Sequence, residues 1–254
     1  MARRVPEGPP PPPVVQRIRI RYAKRGRLRF TSHRDFARAF ERALRRAEVP
    51  MAYSAGFTPH PKISYVGASP TGVASEAEYL EIGLAREVEL AELQAALDGA
   101  LPDGLDIVEV VVAGPGTLAE RMVASDWRIE LPGVSVAQAQ AAVDQFLARA
   151  EVAVERLTKS GRRDVDVRAA VLAAQVSDGG SGGDSQPRAI LDVVVRQVTP
   201  TVRPDDVVAA LGIVAGLAPA APPLAVRRAQ GPLDARNAIG DPLAADRAAV
   251  DTTP

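Results

Sequence analysis

The sequence predicts an α+β fold in which helices pack on antiparallel sheets. Three observations predict it: alternating apolar and polar residues that mark strands, amphipathic helix patterns between them, and a second half that repeats the element order of the first. Hydrophobic residues make up 46% of the 254 residues, which is typical of a globular chain and enough for two domains.

A strand and an amphipathic helix follow a proline-rich start. Residues 17–30 alternate between apolar and basic side chains, with a turn or bulge at 24–27, which predicts a half-buried strand. Ser32 is suited to cap the next helix because Asp35 lies three residues on, where a capping box places its acidic partner. Pro50 marks the end of this helix. Its apolar face comprises Phe36, Phe40, Ala43, Leu44 and Ala47, and its opposite, basic face comprises Arg34, Arg38, Arg42 and Arg45.

The remaining patterns complete the first domain. Residues 63–66 and 78–84 predict strands, 87–100 an amphipathic helix and 105–112 a last strand. The order β-α-β-β-α-β is that of the ferredoxin-like, or split β-α-β, arrangement. Residues 51–53 also look extended, so the identity of the second strand stays open.

The same order begins again after residue 124. Strands are predicted at 126–131, 152–157, 165–176, 190–198 and 224–228, helices at 135–149 and 204–211, a basic turn at 159–163 and a flexible glycine-serine loop at 179–183. We therefore predict tandem ferredoxin-like domains. Their organisation is a disordered proline-rich arm at 1–15, a basic first domain at 16–113, a second domain at 125–230 and a disordered tail at 234–254.

Composition excludes several kinds of site. The chain has no cysteine, which rules out disulfides and cysteine-ligated zinc or iron–sulfur centres, and with only two histidines we expect no metal and no cofactor. We see neither a signal-peptide pattern nor an apolar stretch near the roughly 20 residues that span a bilayer. The expected location is therefore the cytoplasm, without membrane contact.

Positive charge is concentrated in the first domain. Residues 17–46 hold twelve lysines and arginines against two acidic residues, a net charge of +10, while the whole chain has a formal net charge of zero. This asymmetry indicates an anionic partner, which we interpret as RNA. The basic face of the first helix we interpret as an ordinary solvated surface, and the polar residues 75–79 as partners of the arginines or as ligand contacts. The predicted nucleic-acid contacts are Arg17, Arg19, Arg21, Arg25, Arg27, Arg34 and Lys62.

His33 is the weak catalytic candidate. At the N-terminus of the first helix a neutral imidazole is favoured, so His33 is suited either to acid–base chemistry or to capping the strand-to-helix corner. If Tyr53 belongs to the second strand, His60 lies near His33; if that strand is 63–66, the histidines lie at opposite ends of the sheet. We find no carboxylate pair, phosphate-binding glycine loop or nucleophile elbow.

Several segments resemble the radical-SAM-linked family, a domain of unknown function often fused to, or encoded beside, radical S-adenosylmethionine enzymes. The likeness is dense over residues 16–112 and thinner around 159–168. It implies a functional context but no catalytic residues, and this chain has Thr58-Pro59-His60-Pro61 where some relatives have Asn-Pro-Arg-Pro. The resembling segments are Phe30-Thr31-Ser32-His33-Arg34-Asp35, Arg42-Ala43-Leu44-Arg45-Arg46-Ala47, Pro50, Tyr53-Ser54, Gly56-Phe57-Thr58-Pro59-His60-Pro61-Lys62-Ile63-Ser64 and Ser75-Glu76-Ala77-Glu78-Tyr79-Leu80.

Three functional hypotheses follow. The first is an RNA-binding accessory protein that acts in RNA modification or processing, as a partner of a radical SAM or RNA-processing enzyme, since the chain lacks the cysteines that hold a radical SAM cluster. The second is a metal-independent RNA endonuclease in which His33 is acid or base, assisted by Ser32, Arg34 or Tyr53. The third is a protein-interaction adaptor for a radical SAM enzyme, docking through the acidic second half or the Glu76–Glu81 segment.

Overall fold

The structure divides into two units. The element order predicted for the first half of the chain is present, whereas in the second half the single strand predicted at 165–176 is split by a short helix at Val167–Ala170. The computed structural model describes residues 12–158, 161–181 and 186–250. Unit 1 comprises the chain up to residue 120 together with the segment from 242 onward, and unit 2 comprises Arg121–Asp241. In chain order the elements are β1 (Gln16–Lys24), α1 (His33–Arg46), β2 (Ile63–Val66), β3 (Ala74–Leu84), α2 (Leu90–Ala100), β4 (Leu105–Val112), α3 (Leu118–Arg121), β5 (Ala124–Pro132), α4 (Val136–Leu147), β6 (Ala153–Thr158), β7 (Gly161–Asp166), α5 (Val167–Ala170), β8 (Val171–Ser181), β9 (Pro187–Arg196), α6 (Pro204–Ala215), β10 (Leu224–Gly231) and α7 (Ala244–Val250).

Unit 1 has the strand order of the split β-α-β arrangement, β4-β1-β3-β2, with antiparallel pairing throughout. Ile20 lies opposite Leu80 of β3 and Val110 of β4, so the apolar positions of adjacent strands share one face. This face packs with Phe36 and Phe40 of α1 and with side chains of α2 in the hydrophobic core. The prediction of an α+β fold with antiparallel sheets is confirmed.

The strand predicted to continue to residue 30 ends at Lys24. Gly26 has a φ of +54°, which reverses the chain, and a 3-10 turn follows over Gly26–Phe30. Beyond it, Ser32 caps α1 as expected: its Oγ accepts the Asp35 N–H at 3.2 Å.

Unit 2 repeats the strand order as β10-β5-β9-β8, again antiparallel. Between α4 and β8 the chain inserts β6 and β7, which form a separate two-stranded antiparallel sheet. The turn predicted at 159–163 is wrong over residues 161–163, which belong to β7, and residues 159–160 lie outside the described residues. The loop predicted at 179–183 is also corrected in part, since 179–181 continue β8.

The disordered tail predicted at 234–254 is wrong over residues 234–250, because residues 234–241 contain a hydrogen-bonded turn and residues 244–250 form α7. Leu243 and Asp246 are fully buried, and α7 packs on β4 within unit 1. Sequence analysis did not predict α7 because this helix is short and alanine-rich, and because an aspartate such as Asp246 is usually exposed. Residues 251–254 lie outside the described residues, as do 1–11 of the predicted arm, and Val15 of that arm donates to the Leu84 carbonyl at 2.8 Å. In the described part of the chain, no helix combines the length and apolar character that a membrane crossing requires.

Candidate nucleic-acid interface

The prediction that Arg19 contacts RNA is wrong, because the Arg19 side chain is 0% exposed. Its guanidinium donates to Glu81 at 3.0 Å, to Asp246 of α7 at 2.6 Å and to the Gly116 carbonyl at 2.5 Å. Burial works to lower the pKa of Arg19, but the hydrogen bonds to Asp246 and Glu81 outweigh it and hold the pKa above its ordinary value. Arg19 therefore stays charged and links β1 to β3 and α7 through buried ion pairs.

The other arginines of β1, and Arg25 just after it, are matched by acceptors of unit 1. Arg17 lies 3.3 Å from Glu81, and Arg21 donates to the Glu76 carbonyl at 2.9 Å. Arg25 binds the carboxylates of Glu76 and Asp106, and its pKa is raised, mainly by the hydrogen bond to Glu76, although burial opposes this. Residues 75–79 thus supply an acidic partner for an arginine, one of the two roles considered for them. A phosphate would have to displace these acceptors, which weakens the case for this face as an RNA surface.

Three predicted contacts are exposed and have no ion pair among the described residues: Arg27, Arg34 and Lys62. Arg34 begins a row along the outer face of α1 that continues with other exposed arginines lacking a carboxylate partner in the described part of the chain. We call this row the α1 arginine row; it comprises Arg34, Arg38, Arg42 and Arg45.

The geometry of this row suits a linear polyanion. Its first three members follow at four-residue intervals, a rise of about 6 Å each, and α1 is about 21 Å long. Like charges four residues apart destabilise a helix, so their arrangement carries an energetic cost that anionic contact would relieve. The sequence contained this signal, but the amphipathic pattern led us to interpret the row as an ordinary solvated face.

Aromatic side chains are exposed near both ends of α1. Phe30, just before α1, is 59% exposed, and Tyr53 and Phe57, in the loop after it, are 41% and 71% exposed. This loop (residues 52–62) is held closed at its base, where the Ser54 N–H donates to the His60 carbonyl at 2.9 Å and the His60 N–H donates to Ser54 Oγ at 3.0 Å. Exposed rings beside arginines are the usual means by which proteins hold unpaired bases.

A pocket of about 190 Å³ joins α1 to this loop. Its polar groups are Glu41 and Arg45 of α1 with Tyr53 and His60 of the loop. Neither Glu41 nor Arg45 has an ion pair among the described residues. We call it the α1–loop pocket; its apolar lining is Leu44, Val49, Met51, Pro59 and Pro61.

The two histidines lie at opposite ends of α1, since β2 is formed by Ile63–Val66 and not by residues around Tyr53. His33 is the first residue of α1, whereas His60 shares the pocket with Arg45, twelve residues further on, about 18 Å along the helix axis. The His33 ring contacts Tyr65 edge-on at 4.9 Å between centroids. Tyr53, considered as an assistant to His33, belongs to the far end.

Ser32 and Asp35, the polar residues beside His33 in the chain, stabilise the start of α1. Ser32 Oγ donates to Asp35 at 2.6 Å while capping α1. Burial, together with the charge of Glu41, raises the pKa of Tyr65 and keeps its hydroxyl neutral. The described residues contain no group of three or more histidine and acidic side chains placed to hold a metal ion.

In unit 2, two arginines on the sheet form ion pairs with neighbouring aspartates. Arg128 donates its Nε–H and one Nη2–H to the two carboxylate oxygens of Asp192, each at 2.9 Å, and Arg228 bridges Asp126 and Asp192 at 2.8 and 3.2 Å. Burial works to raise the pKa of Asp192, but these two arginines outweigh it and hold the pKa below its ordinary value. Arg128 and Arg228 are thus paired, unlike the members of the α1 arginine row.

Comparison with known proteins gives a family but no activity. A family model described as "Uncharacterized protein conserved in bacteria (DUF2344)" matches residues 17–204. No curated protein matches the chain. Among solved structures, an unknown protein from Galdieria sulphuraria aligns over 78% of this chain and 91% of its own, with 14% identity and a TM-score of 0.24.

Proposed function

We propose that this chain, which belongs to the DUF2344 family of uncharacterized proteins conserved in bacteria, is an RNA-binding protein that acts as an accessory in RNA modification or processing. The contact surface is the α1 arginine row with the aromatic side chains at its ends. The observation that carries the proposal is that the four arginines of this row are exposed and lack carboxylate partners among the described residues, while the three arginines of β1 and Arg25 are matched by acceptors.

The α1 surface favours single strands over duplexes. A helix rich in arginine with exposed Phe30, Tyr53 and Phe57 offers phosphates a charged track and offers bases rings on which to stack. A stacked duplex hides the faces of its bases, so the rings would contribute nothing to duplex binding. Arg27 and Lys62 remain predicted contacts in this proposal, and Arg19 is withdrawn.

The proposal has an electrostatic signature. Each phosphate neutralised on a single strand contributes about −0.7 to the slope of log K against log salt concentration, so four contacts contribute roughly −3. Replacing the row with glutamines preserves helix propensity and removes the charge. A control variant replaces four exposed arginines elsewhere, namely Arg86, Arg149, Arg162 and Arg196.

The test is fluorescence anisotropy with a labelled single-stranded RNA of mixed sequence at several salt concentrations. We expect the α1 variant to lose most of the affinity and of the salt slope, and the control to keep both. Equal behaviour of the two variants would remove α1 as the interface, and undetectable binding of the wild type at low salt would remove RNA binding altogether.

A second candidate function, the adaptor, is favoured by a groove of about 650 Å³ in unit 1. Its floor is apolar, including Val49 and Leu93, and its rim carries one arginine, Arg86, against four glutamates: Glu48, Glu87, Glu89 and Glu92. Charge complementarity suits a lysine- and arginine-rich segment of a partner enzyme. This groove replaces the predicted Glu76–Glu81 segment, whose carboxylates bind Arg25, the Ser69 N–H and Arg19 within unit 1.

The accessory role, and the radical SAM enzyme as its partner, rest on the family resemblance. The discriminating measurement is binding to a purified radical SAM enzyme encoded beside a gene of this family. Amide substitutions at Glu87, Glu89 and Glu92 should weaken that complex, whereas substitutions at the exposed Asp103, Glu151 and Asp205 should not. A complex that is insensitive to the first set, or that does not form, rejects the groove as its docking surface.

A further inference from the structure

We infer that the α1–loop pocket is a subsite for one unpaired guanine of the bound RNA, an inference that rests on the proposed RNA-binding function and gives it base specificity. The pocket has a volume of about 190 Å³, lies beside the α1 arginine row and has Arg45 in common with it. It is lined by two side chains of opposite charge and by two rings. Charged groups of this kind can bind the edge of a base, and rings can stack on its face.

Glu41 and Arg45 line this pocket without pairing to each other. They are four residues apart on α1, the spacing at which glutamate and a cation commonly pair on a helix. No ion pair joins them to each other or to another described residue, so an acceptor-only group and a donor-only group both point to an outside partner. A ligand that carries donors and acceptors on one rigid edge satisfies both.

The carboxylate decides which part of the RNA enters. Glu41 repels a phosphate, while the other arginines of the row, Arg34, Arg38 and Arg42, attract phosphates along the same helix. A neutral base is therefore the part that enters the pocket. Tyr53 and His60 supply the stacking faces, and the proline and aliphatic lining excludes water from the base.

Among the four bases, guanine matches the two charged groups. Its N1–H and N2–H are adjacent donors that meet both oxygens of one carboxylate, and its O6 and N7 are the pair of acceptors that arginine binds in bidentate fashion. Adenine and cytosine present a ring-nitrogen acceptor beside their single amino group, and uracil flanks its one N–H with carbonyls. Each of these edges sets at least one acceptor against Glu41.

The experiment uses the full chain and nine-nucleotide RNAs that are all uridine except for the central base. We expect central guanine to bind at least about 10-fold more tightly than central uracil, adenine or cytosine, which lies within the discrimination that a good bidentate contact provides. Inosine, which lacks the N2 amino group, should fall between guanine and uracil.

Variants separate edge recognition from general binding. Glu41→Gln should abolish the preference for guanine and strengthen the binding of all-uridine RNA, because it removes the negative charge that repels phosphates, whereas Glu48→Gln, an exposed control just beyond α1, should keep the preference. Tyr53→Phe should retain binding and Tyr53→Ala should weaken it for every base, because only the ring stacks.

The outcomes also separate this inference from the proposed function. Equal affinity for all central bases, or a guanine preference that survives Glu41→Gln, overturns the guanine subsite while RNA binding through the arginine row stands. Absence of binding to every oligonucleotide at low salt overturns both.

Discussion

Replacing Asp246 with alanine should destabilise unit 1 strongly, although sequence analysis placed this residue in a disordered tail. Asp246 and Arg19 are both 0% exposed and lie 2.6 Å apart, and Asp246 also accepts the Gly114 N–H at 2.9 Å. Removing one partner of a buried pair leaves the other charge unpaired, at a cost of about 3–5 kcal/mol. The loss should be near the lower end because Glu81 continues to hold Arg19.

The chain offers separate optical signals for the two units. All four tyrosines lie in the part of the sequence that forms unit 1, at positions 22, 53, 65 and 79, and the single tryptophan, Trp127, lies in unit 2. In urea, with a slope of roughly 2 kcal/mol per molar, a loss of about 3 kcal/mol lowers the unit 1 midpoint by about 1.5 M. The tryptophan transition reports on unit 2 in the same samples.

Two further variants test the reasoning behind this figure. Glu155→Ala removes an exposed ion pair with Arg162 and should change stability by less than about 1 kcal/mol. The double variant Arg19→Met with Asp246→Leu should recover much of the loss, since it removes both charges. A loss below about 1 kcal/mol for Asp246→Ala would mean that the buried pair does not fasten α7 to the sheet.

The remaining predictions concern pH, backbone conformation and catalysis. The folded-state pKa of Asp192 lies below its unfolded value, so its contribution to stability should be complete above about pH 4 and lost as pH falls through the folded pKa; Asp192→Asn should flatten that acid limb of the tryptophan transition. Gly133→Ala should destabilise unit 2 by at least about 1 kcal/mol in the same urea assay, since Gly133 has a φ of +75° and a new Cβ would lie 2.4 Å from the Ala220 methyl; an unchanged midpoint would contradict this. We expect His33→Ala to leave RNA processing unchanged in a cleavage assay, and loss of cleavage in that variant would instead support the endonuclease hypothesis.

Local patterns in the sequence predicted most of the secondary structure. The alternation from residue 17 identified β1, Ser32 and Asp35 identified the start of α1, and the pattern at 105–112 identified β4 with its observed bounds. These features depend on residues close together in the chain, so a single sequence contains them. The sequence patterns did not predict that β6 and β7 form a hairpin, because strand pairing depends on contacts that a single sequence does not contain.

The sequence alone determined the α+β class, the β-α-β-β-α-β order of the first domain and the excess of positive charge there, because these follow from spacing and composition. Only the tertiary structure decided which arginines are available. Whether a guanidinium meets a carboxylate depends on groups distant in the chain: 62 positions separate Arg19 from Glu81, and 227 separate it from Asp246. Those contacts removed Arg19 from the predicted interface, and their absence along the described outer face of α1 is why the arginine row there became the candidate surface.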